Sequence, residues 1–210
     1  MRRALTITAP DSAPSPRALI GIDKNYENPV MAPDGSTLAL ILILPLVLLD
    51  LPPALRRRAQ GKCLYVFSVH NDDYFLDSIS WHGTDAELQD LVAGWTRVVI
   101  ADEGAYSFSG DSYEIRCASE GTDDRMSYLG SGDGPTMLQM EDYSAIDDMH
   151  FIGQLDGADL PAEIADLFYL TDAVGYLYMS YASPALSEEP SQQGNTSTQG
   201  LDGLFFVQVT

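Results

Sequence analysis

The side chains of this sequence that could do acid–base, nucleophilic or metal chemistry are three histidines, two cysteines and 31 carboxylates. His70, Asp72 and His82 come closest to a metal-binding group, yet they match no established zinc or calcium spacing. Cys63 and Cys117 each lie in an apolar run, which predicts buried thiols and not a disulfide or a metal pair. With no G-x-S-x-G motif and no phosphate loop, the sequence predicts no catalytic, cofactor-binding or metal-binding residue.

Two polar residues in an otherwise apolar strand pattern are the candidate contacts to a partner or ligand. Gln154 and Asp156 alternate with Gly153 and Leu155, so both side chains point to one face of the strand. One interpretation is a polar contact at a groove or a partner surface. The other is that Gln154 satisfies backbone groups between two halves of the protein while Asp156 caps a turn. We favour the second interpretation, because buried polar groups are usually paired within the structure.

The charge of the chain is strongly negative and unevenly distributed. Eleven Lys and Arg face 31 Asp and Glu, which gives a net charge of −20. Residues 1–70 sum to +3, whereas residues 71–210 sum to −23 and contain no Lys or Arg after Arg125. Such a surface repels phosphate backbones, so we expect no nucleic-acid binding. It would attract a basic protein partner, although solubility or a salt-rich habitat would also account for the acidity.

The elements that must position these residues are mostly strands. The run 38–49 is rich in Leu, Ile and Val and predicts a buried strand, with Pro45 at its end or at a bulge. Residues 84–95 predict the clearest helix, which Thr84 can cap and in which Glu87 completes a capping box. Other strands are predicted at residues 17–23, 62–69, 77–81, 97–101, 112–118, 149–155, 174–181 and 203–209, and a short helix at 162–169. The fold class is therefore α+β, mainly antiparallel β-sheet with few helices.

No segment of the sequence predicts a membrane span or a signal peptide. The apolar stretch at the N-terminus is short and broken by Thr and Pro. The run 38–49 is interrupted by Pro45 and falls short of the roughly 20 residues that a span needs, although the arginines at 56–58 flank it. Sparse cysteine is typical of a reducing compartment, so we expect a cytoplasmic protein.

Two segments share an order of features, which indicates an internal duplication. A D-L-P triplet follows a buried strand at residues 50–52 and again at 159–161, and an L-Y pair follows at 64–65 and at 177–178. In this alignment Pro45 falls at the position of Gln154. We therefore divide the chain into an N-terminal arm with a first strand (1–36), a first half (37–125) and a second half (126–210).

The second half also carries a family resemblance. Gly134-Pro135 is followed by F-I-G-Q-L-D at 151–156, G-Y-L-Y at 175–178 and G-L-F-F at 203–206. This order resembles the DUF1963 (YwqG-like) family, whose pattern runs through G-G-x-P, L-x-x-Q-I-D and G-x-x-Y-F-F. The resemblance is clearest over residues 126–210, and the glycine–proline element is looser here. It implies a duplicated α+β fold of antiparallel strands and little biochemistry.

The expected function combines the charge with this resemblance. Members of the family resemble proteins found beside bacterial contact-dependent toxins, which implies an immunity-type role by association. We therefore predict a non-enzymatic, acidic binding protein that neutralises a basic toxin or effector. The alternative is an uncharacterised small-ligand-binding protein or enzyme with a site between the two halves, where pockets are common. A housekeeping domain whose acidity reflects habitat is the third interpretation.

Overall fold

A computed structural model describes residues 3–10, 16–117, 127–130, 135, 137–138, 143–186 and 201–209. Ten strands in this part of the chain form one sheet. They are β1 (Arg3–Thr8), β2 (Ala18–Asp23), β3 (Ala39–Pro45), β4 (Lys62–Ser68), β5 (Thr96–Asp102), β6 (Ser112–Cys117), β7 (Tyr128–Leu129), β8 (His150–Asp156), β9 (Val174–Met179) and β10 (Gly203–Gln208). Three short α-helices accompany them: α1 (Pro53–Arg58), α2 (Leu76–Ile79) and α3 (Asp85–Asp90). A mainly antiparallel sheet with few helices is therefore confirmed.

The sheet closes on itself as a barrel. Its strand order is β1-β6-β2-β3-β4-β5-β10-β9-β8-β7, with β7 returning to β1, and every neighbouring pair is antiparallel. Closure gives every strand a neighbour on both sides, although β5 and β10 share a single backbone pair. The sequence predicts no strand at β1, which lies in the N-terminal arm (1–36). In the structure β1 pairs with β6, a strand of the first half (37–125).

Both faces of the central strands are buried, which explains their continuous apolar sequence. All seven residues of β3 are buried, as are six of the seven in β4. The inner faces fill the lumen with side chains such as Leu42, Leu44, Leu177 and Phe205. Loops and short helices cover part of the outer faces. Pro45 is the last residue of β3, as predicted, and the bulge lies at Ile41.

Two four-stranded meanders, β2-β3-β4-β5 and β7-β8-β9-β10, have the same register. Adding 111 to the residue numbers of each β3–β4 pair gives a β8–β9 pair, so Ile43–Tyr65 becomes Gln154–Tyr176. The bulge repeats as well, between Leu40 and Leu42 in β3 and between Phe151 and Gly153 in β8. In this shared register Gln154 is at the position equivalent to Ile43, whereas the alignment of the sequence motifs places it opposite Pro45.

The two meanders meet where β5 lies beside β10. Gly203 pairs with Val98 at this seam. Side chains add to the pairing on either side: Thr96 Oγ1 donates to the Phe205 carbonyl at 2.7 Å, and Ile100 N donates to Asp202 Oδ2 at 2.8 Å. The seam is thus held by one backbone pair and two side-chain hydrogen bonds.

The predicted helix at residues 84–95 begins as expected. Thr84 Oγ1 accepts from Glu87 N at 3.3 Å and caps α3. The Glu87 carboxylate reaches past the Thr84 backbone and accepts from His82 N at 2.9 Å, so the capping box closes two residues earlier than predicted. A π-helical turn (Leu91–Trp95) follows, and within it Gly94 leaves helical geometry with a φ of 115°.

Two other predicted elements differ in the structure. The strand predicted at 77–81 is wrong, because residues 76–79 form α2 and only Ser80 makes a bridge, to Val207. A short apolar run cannot be assigned to strand or helix from periodicity alone. The helix predicted at 162–169 is a single 3₁₀ turn (Ala162–Ile164) followed by irregular turns.

Candidate functional site

The two predicted contact residues lie in different environments. Gln154 is 1% exposed and pairs with Tyr128 on one side and Tyr176 on the other, on the outer face of β8. Asp156 ends the strand, is half-buried, and accepts from Ala158 N at 2.9 Å at the start of a 3₁₀ turn (Gly157–Asp159). Asp156 thus caps a turn, whereas Gln154 lies beneath a covering layer.

That covering layer closes the outer face of the second meander. Gln208, which is fully buried, donates through Nε2 to the Trp81 carbonyl at 3.1 Å and to the Tyr143 hydroxyl. Leu138 N donates to the Tyr176 hydroxyl and to Gln208 Oε1, both at 3.2 Å. Trp81 packs edge-on against both Tyr143 and Phe206 at 5.0 Å. Buried polar groups paired in this way rigidify a core.

The lumen between the two meanders is filled. Its residual cavity measures about 10 Å³ and is lined by Leu42, Leu44, Leu129, Leu177 and Phe205 among others. A single water needs about that much space and several polar partners, and a metabolite needs roughly 300 Å³ or more. The lumen therefore serves as hydrophobic core.

A larger cleft opens on the outer face of the first meander. Its volume is about 340 Å³. Its floor is formed by Ile43, Pro45, Cys63 and Tyr65, and its wall by Tyr106 and Phe108, with Arg17 and Glu103 also in the lining. Tyr106 packs edge-on against Tyr65 and Phe67, each at 5.0 Å. In size and composition the cleft fits a small amphipathic ligand.

The groups in this cleft are poor nucleophiles. Burial raises the pKa of the Cys63 thiol, the nearby Glu103 carboxylate raises it further, and a hydrogen bond with Tyr65 only partly opposes both. Burial raises the pKa of Tyr65 to about 12, and its hydroxyl donates to the Asp102 carbonyl at 2.9 Å. Because the thiolate and not the thiol attacks substrates, the Cys63 thiol is not activated for attack.

A second cleft of about 200 Å³ lies at the β5–β10 seam, where the two meanders meet. Its polar residues include Thr96, Arg97 and Asp202. Asp202 already accepts hydrogen bonds from Ile100 N and from the Ser183 hydroxyl, so its carboxylate has a structural role at the seam.

The histidines lie apart from one another. His82 Nδ1 lies 3.0 Å from Glu87 Oε1 within the capping arrangement of α3. His70 Nε2 lies 3.4 Å from Asp166 Oδ2, and burial lowers its pKa despite that carboxylate. The ring of His150 stacks on the ring of Tyr181, with the ring centroids 3.4 Å apart. Within the described residues, no three His, Cys, Asp or Glu side chains form a metal-binding group.

Most of the described Asp and Glu side chains in residues 71–210 are exposed to solvent. Of the 18 Asp and Glu described in residues 71–210, 13 are exposed, against two basic residues, Arg97 and Arg116. Glu114 is buried and is paired with Arg116 at 3.1 Å. The remaining carboxylates are distributed over loops and helix ends around the barrel. The structure therefore presents a broad anionic surface on a closed antiparallel barrel.

No protein-family model matches the chain, and no curated protein matches it either. The resemblance to the DUF1963 (YwqG-like) family consequently stays a prediction. In the described part of the chain, no helix is both long enough and apolar enough to cross a membrane.

Proposed function

We propose that this chain is a non-enzymatic binding protein whose anionic surface captures a basic protein, as an immunity-type protein captures a toxin or effector. The observation that supports this most directly is the 13 exposed carboxylates against two exposed guanidinium groups in the described part of residues 71–210. An excess of this kind steers a cationic protein toward the surface and accelerates association. A cytoplasmic location belongs to the same proposal, supported by the buried free thiol of Cys63.

The chemistry of the clefts agrees with binding. Cys63, which lines the larger cleft, has a pKa raised by burial and is therefore a weak nucleophile. The closed, filled barrel also supplies a rigid scaffold, which lowers the entropic cost of binding.

Duplication of a four-stranded unit is part of the proposal. It is supported by the identical register of β3–β4 and β8–β9 and by their bulges. The 3₁₀ turns that follow β3 (Leu46–Leu48) and β8 (Gly157–Asp159) are also separated by 111 residues. Such agreement is expected of two copies of one unit, and it supports the duplicated fold that the resemblance to the DUF1963 family implies.

The test is capture of partners from a bacterial lysate at low salt, followed by a salt step. We expect one basic protein to be released, to bind the purified chain with an affinity that falls steeply with ionic strength, and to be toxic unless this chain is co-expressed. Binding that is insensitive to salt, or a captured protein whose toxicity this chain does not relieve, would argue against the proposal.

A small-ligand-binding role is the second candidate, favoured by the 340 Å³ cleft. Its test is a thermal-shift screen of amphipathic metabolites against the wild type and Tyr106→Ala. A ligand that raises the melting temperature of the wild type and not of the variant would support this role. Equal shifts for both proteins would place the ligand elsewhere.

A further inference from the structure

Three of the five large apolar side chains that are exposed in the described residues lie side by side. They are Tyr74 at 55%, Tyr169 at 38% and Leu170 at 38% exposure, and we call them the aromatic surface. Scattered single apolar side chains are normal on a protein surface, but a contiguous group marks an interaction site more often. Tyrosine is also among the residues most enriched in the energetic centres of protein interfaces.

The aromatic surface joins two loops that are far apart in sequence, and it is fixed in place from below. The rings of Tyr74 and Tyr169 meet edge-on with centroids 5.0 Å apart. Phe75, which is 3% exposed, packs edge-on beneath Tyr169 at 5.4 Å. The Tyr74 hydroxyl donates to Asp77 Oδ1 at 2.7 Å, which fixes the orientation of the ring. The two tyrosines are thus presented in a preorganised arrangement, and a partner would not have to order them on binding.

Exposed carboxylates lie close in sequence to these rings. Four of the five aspartates are in the two loops and one, Asp77, is in α2; they are Asp72, Asp73, Asp77, Asp166 and Asp172. Residues 70–81 and 160–173 contain no Lys or Arg. One cation from elsewhere, Lys24, is near enough to act on the charge of His70 at the base of the surface. The segments that present the rings therefore carry five exposed aspartates and no Lys or Arg of their own.

We propose that the aromatic surface is where a basic partner protein docks, and that it receives arginine side chains in particular. This rests on the proposed function and names the surface through which it acts. A guanidinium group can stack on a tyrosine ring and at the same time bind a carboxylate through two parallel hydrogen bonds. A lysine ammonium group is more strongly hydrated and lacks the flat fork, so it gains less from the rings. A purely apolar partner would leave the carboxylates buried without counter-charges.

The test uses two nine-residue peptides, one of arginine and one of lysine, each labelled with fluorescein and followed by fluorescence anisotropy at low salt. The ring variant is Tyr74→Ser with Tyr169→Gly. Glycine suits position 169, where φ is 69°, so the fold should tolerate this change. We expect the wild type to prefer the arginine peptide, and the ring variant to bind that peptide about five- to tenfold more weakly. Its affinity for the lysine peptide should change less than twofold.

Charge-matched variants separate local from general electrostatics. Asp72→Asn with Asp73→Asn removes two charges beside the rings, and Asp90→Asn with Asp147→Asn removes two exposed charges elsewhere. The first pair should weaken the arginine peptide several-fold more than the second pair. Circular dichroism and denaturant midpoints of every variant verify that each one is folded.

The failures of the two proposals are distinguishable. If the wild type binds neither peptide at low salt, the proposed function itself is wrong. If both peptides bind with steep salt dependence but the folded ring variant binds them as the wild type does, only the aromatic surface is wrong. A wild type that forms dimers on concentration, and a ring variant that does not, would assign the surface to a second copy of this chain and overturn the arginine proposal.

Discussion

Replacing Gly203 by alanine tests whether the seam between β5 and β10 holds the barrel closed. Gly203 pairs with Val98 across the seam and with Met179 on β9, so it sits between the two strands that close this part of the sheet. A Cβ at this position would lie 2.3 Å from the Tyr178 carbonyl oxygen and 2.8 Å from Val98 Cγ1. Both neighbours belong to strands that pair with β10, and the closer one is a backbone carbonyl, which cannot rotate away as a side chain can.

The size of the effect follows from these distances. Restoring ordinary contact requires the Tyr178 carbonyl to retreat by roughly 1 Å, which cannot happen without moving β9 away from β10. Overpacking a well-filled core costs about 1–3 kcal/mol. We expect the upper half of that range, about 2–3 kcal/mol, because the hydrogen bond from Thr96 to Phe205 would be strained as well. For a chain of this size that lowers the melting temperature by roughly 4–12 °C.

The assay is equilibrium unfolding in guanidinium chloride, followed by tryptophan fluorescence, because Trp81 is buried at 1% exposure. Gly110→Ala is the matched control: no atom lies within 4 Å of a Cβ at that position. We expect it to be neutral or to stabilise by about 0.4–1 kcal/mol through the unfolded chain. If Gly203→Ala were as stable as Gly110→Ala, the two strands would not be in the close register on which the closed barrel depends.

Three further substitutions test local parts of the structure. Thr84→Ala removes the cap of α3 and should cost about 1 kcal/mol, measured as a loss of about 2–4 °C in melting temperature. Tyr169→Gly should change the unfolding free energy by less than about 1 kcal/mol, since relief at a φ of 69° offsets lost ring contacts; a larger loss by denaturant unfolding would contradict this. Burial lowers the pKa of His70 in the folded protein below its ordinary 6.5. As the pH falls below about 6.5, the unfolded chain therefore takes up a proton that folded His70 does not, and the free energy of unfolding decreases. His70→Gln should reduce the difference between urea midpoints at about pH 7.5 and 5.5, leaving a remainder from His150, whose pKa burial also lowers.

Strands with a strong local signal could be predicted from the sequence, and strands that depend on distant partners could not. β3 is a continuous apolar run whose end is marked by Pro45, and both features are in the sequence itself. β1 is different, because its residues are ordered by pairing with β6 and β7, more than a hundred positions away. Strand propensity largely measures such packing and says little before the partners are known.

The candidate site shows the same limit. The alternation of Gln154 and Asp156 predicts one face for both side chains, yet one is buried and the other lies at a strand end where it caps a turn. The alternation of residues along a strand predicts which side chains share a face of the sheet, but it does not predict which other segments cover that face. The aromatic surface could not be found in the sequence at all, since it exists only where Tyr74 and Tyr169 meet.

The matched register gives a reason why the two outer faces should differ in function. At one position of the shared pattern, Ile43 lines the open cleft of the first meander, while Gln154 lies under the closed layer of the second. In both meanders the inner faces fill the lumen, so change is constrained there. The outer faces carry no such shared constraint. The hydrogen bonds of Gln208 to Trp81 and Tyr143 hold a covering layer on one outer face, and the other carries a cleft of about 340 Å³. Selection for a ligand would therefore act on the cleft, and selection for a protein partner on the carboxylates outside it.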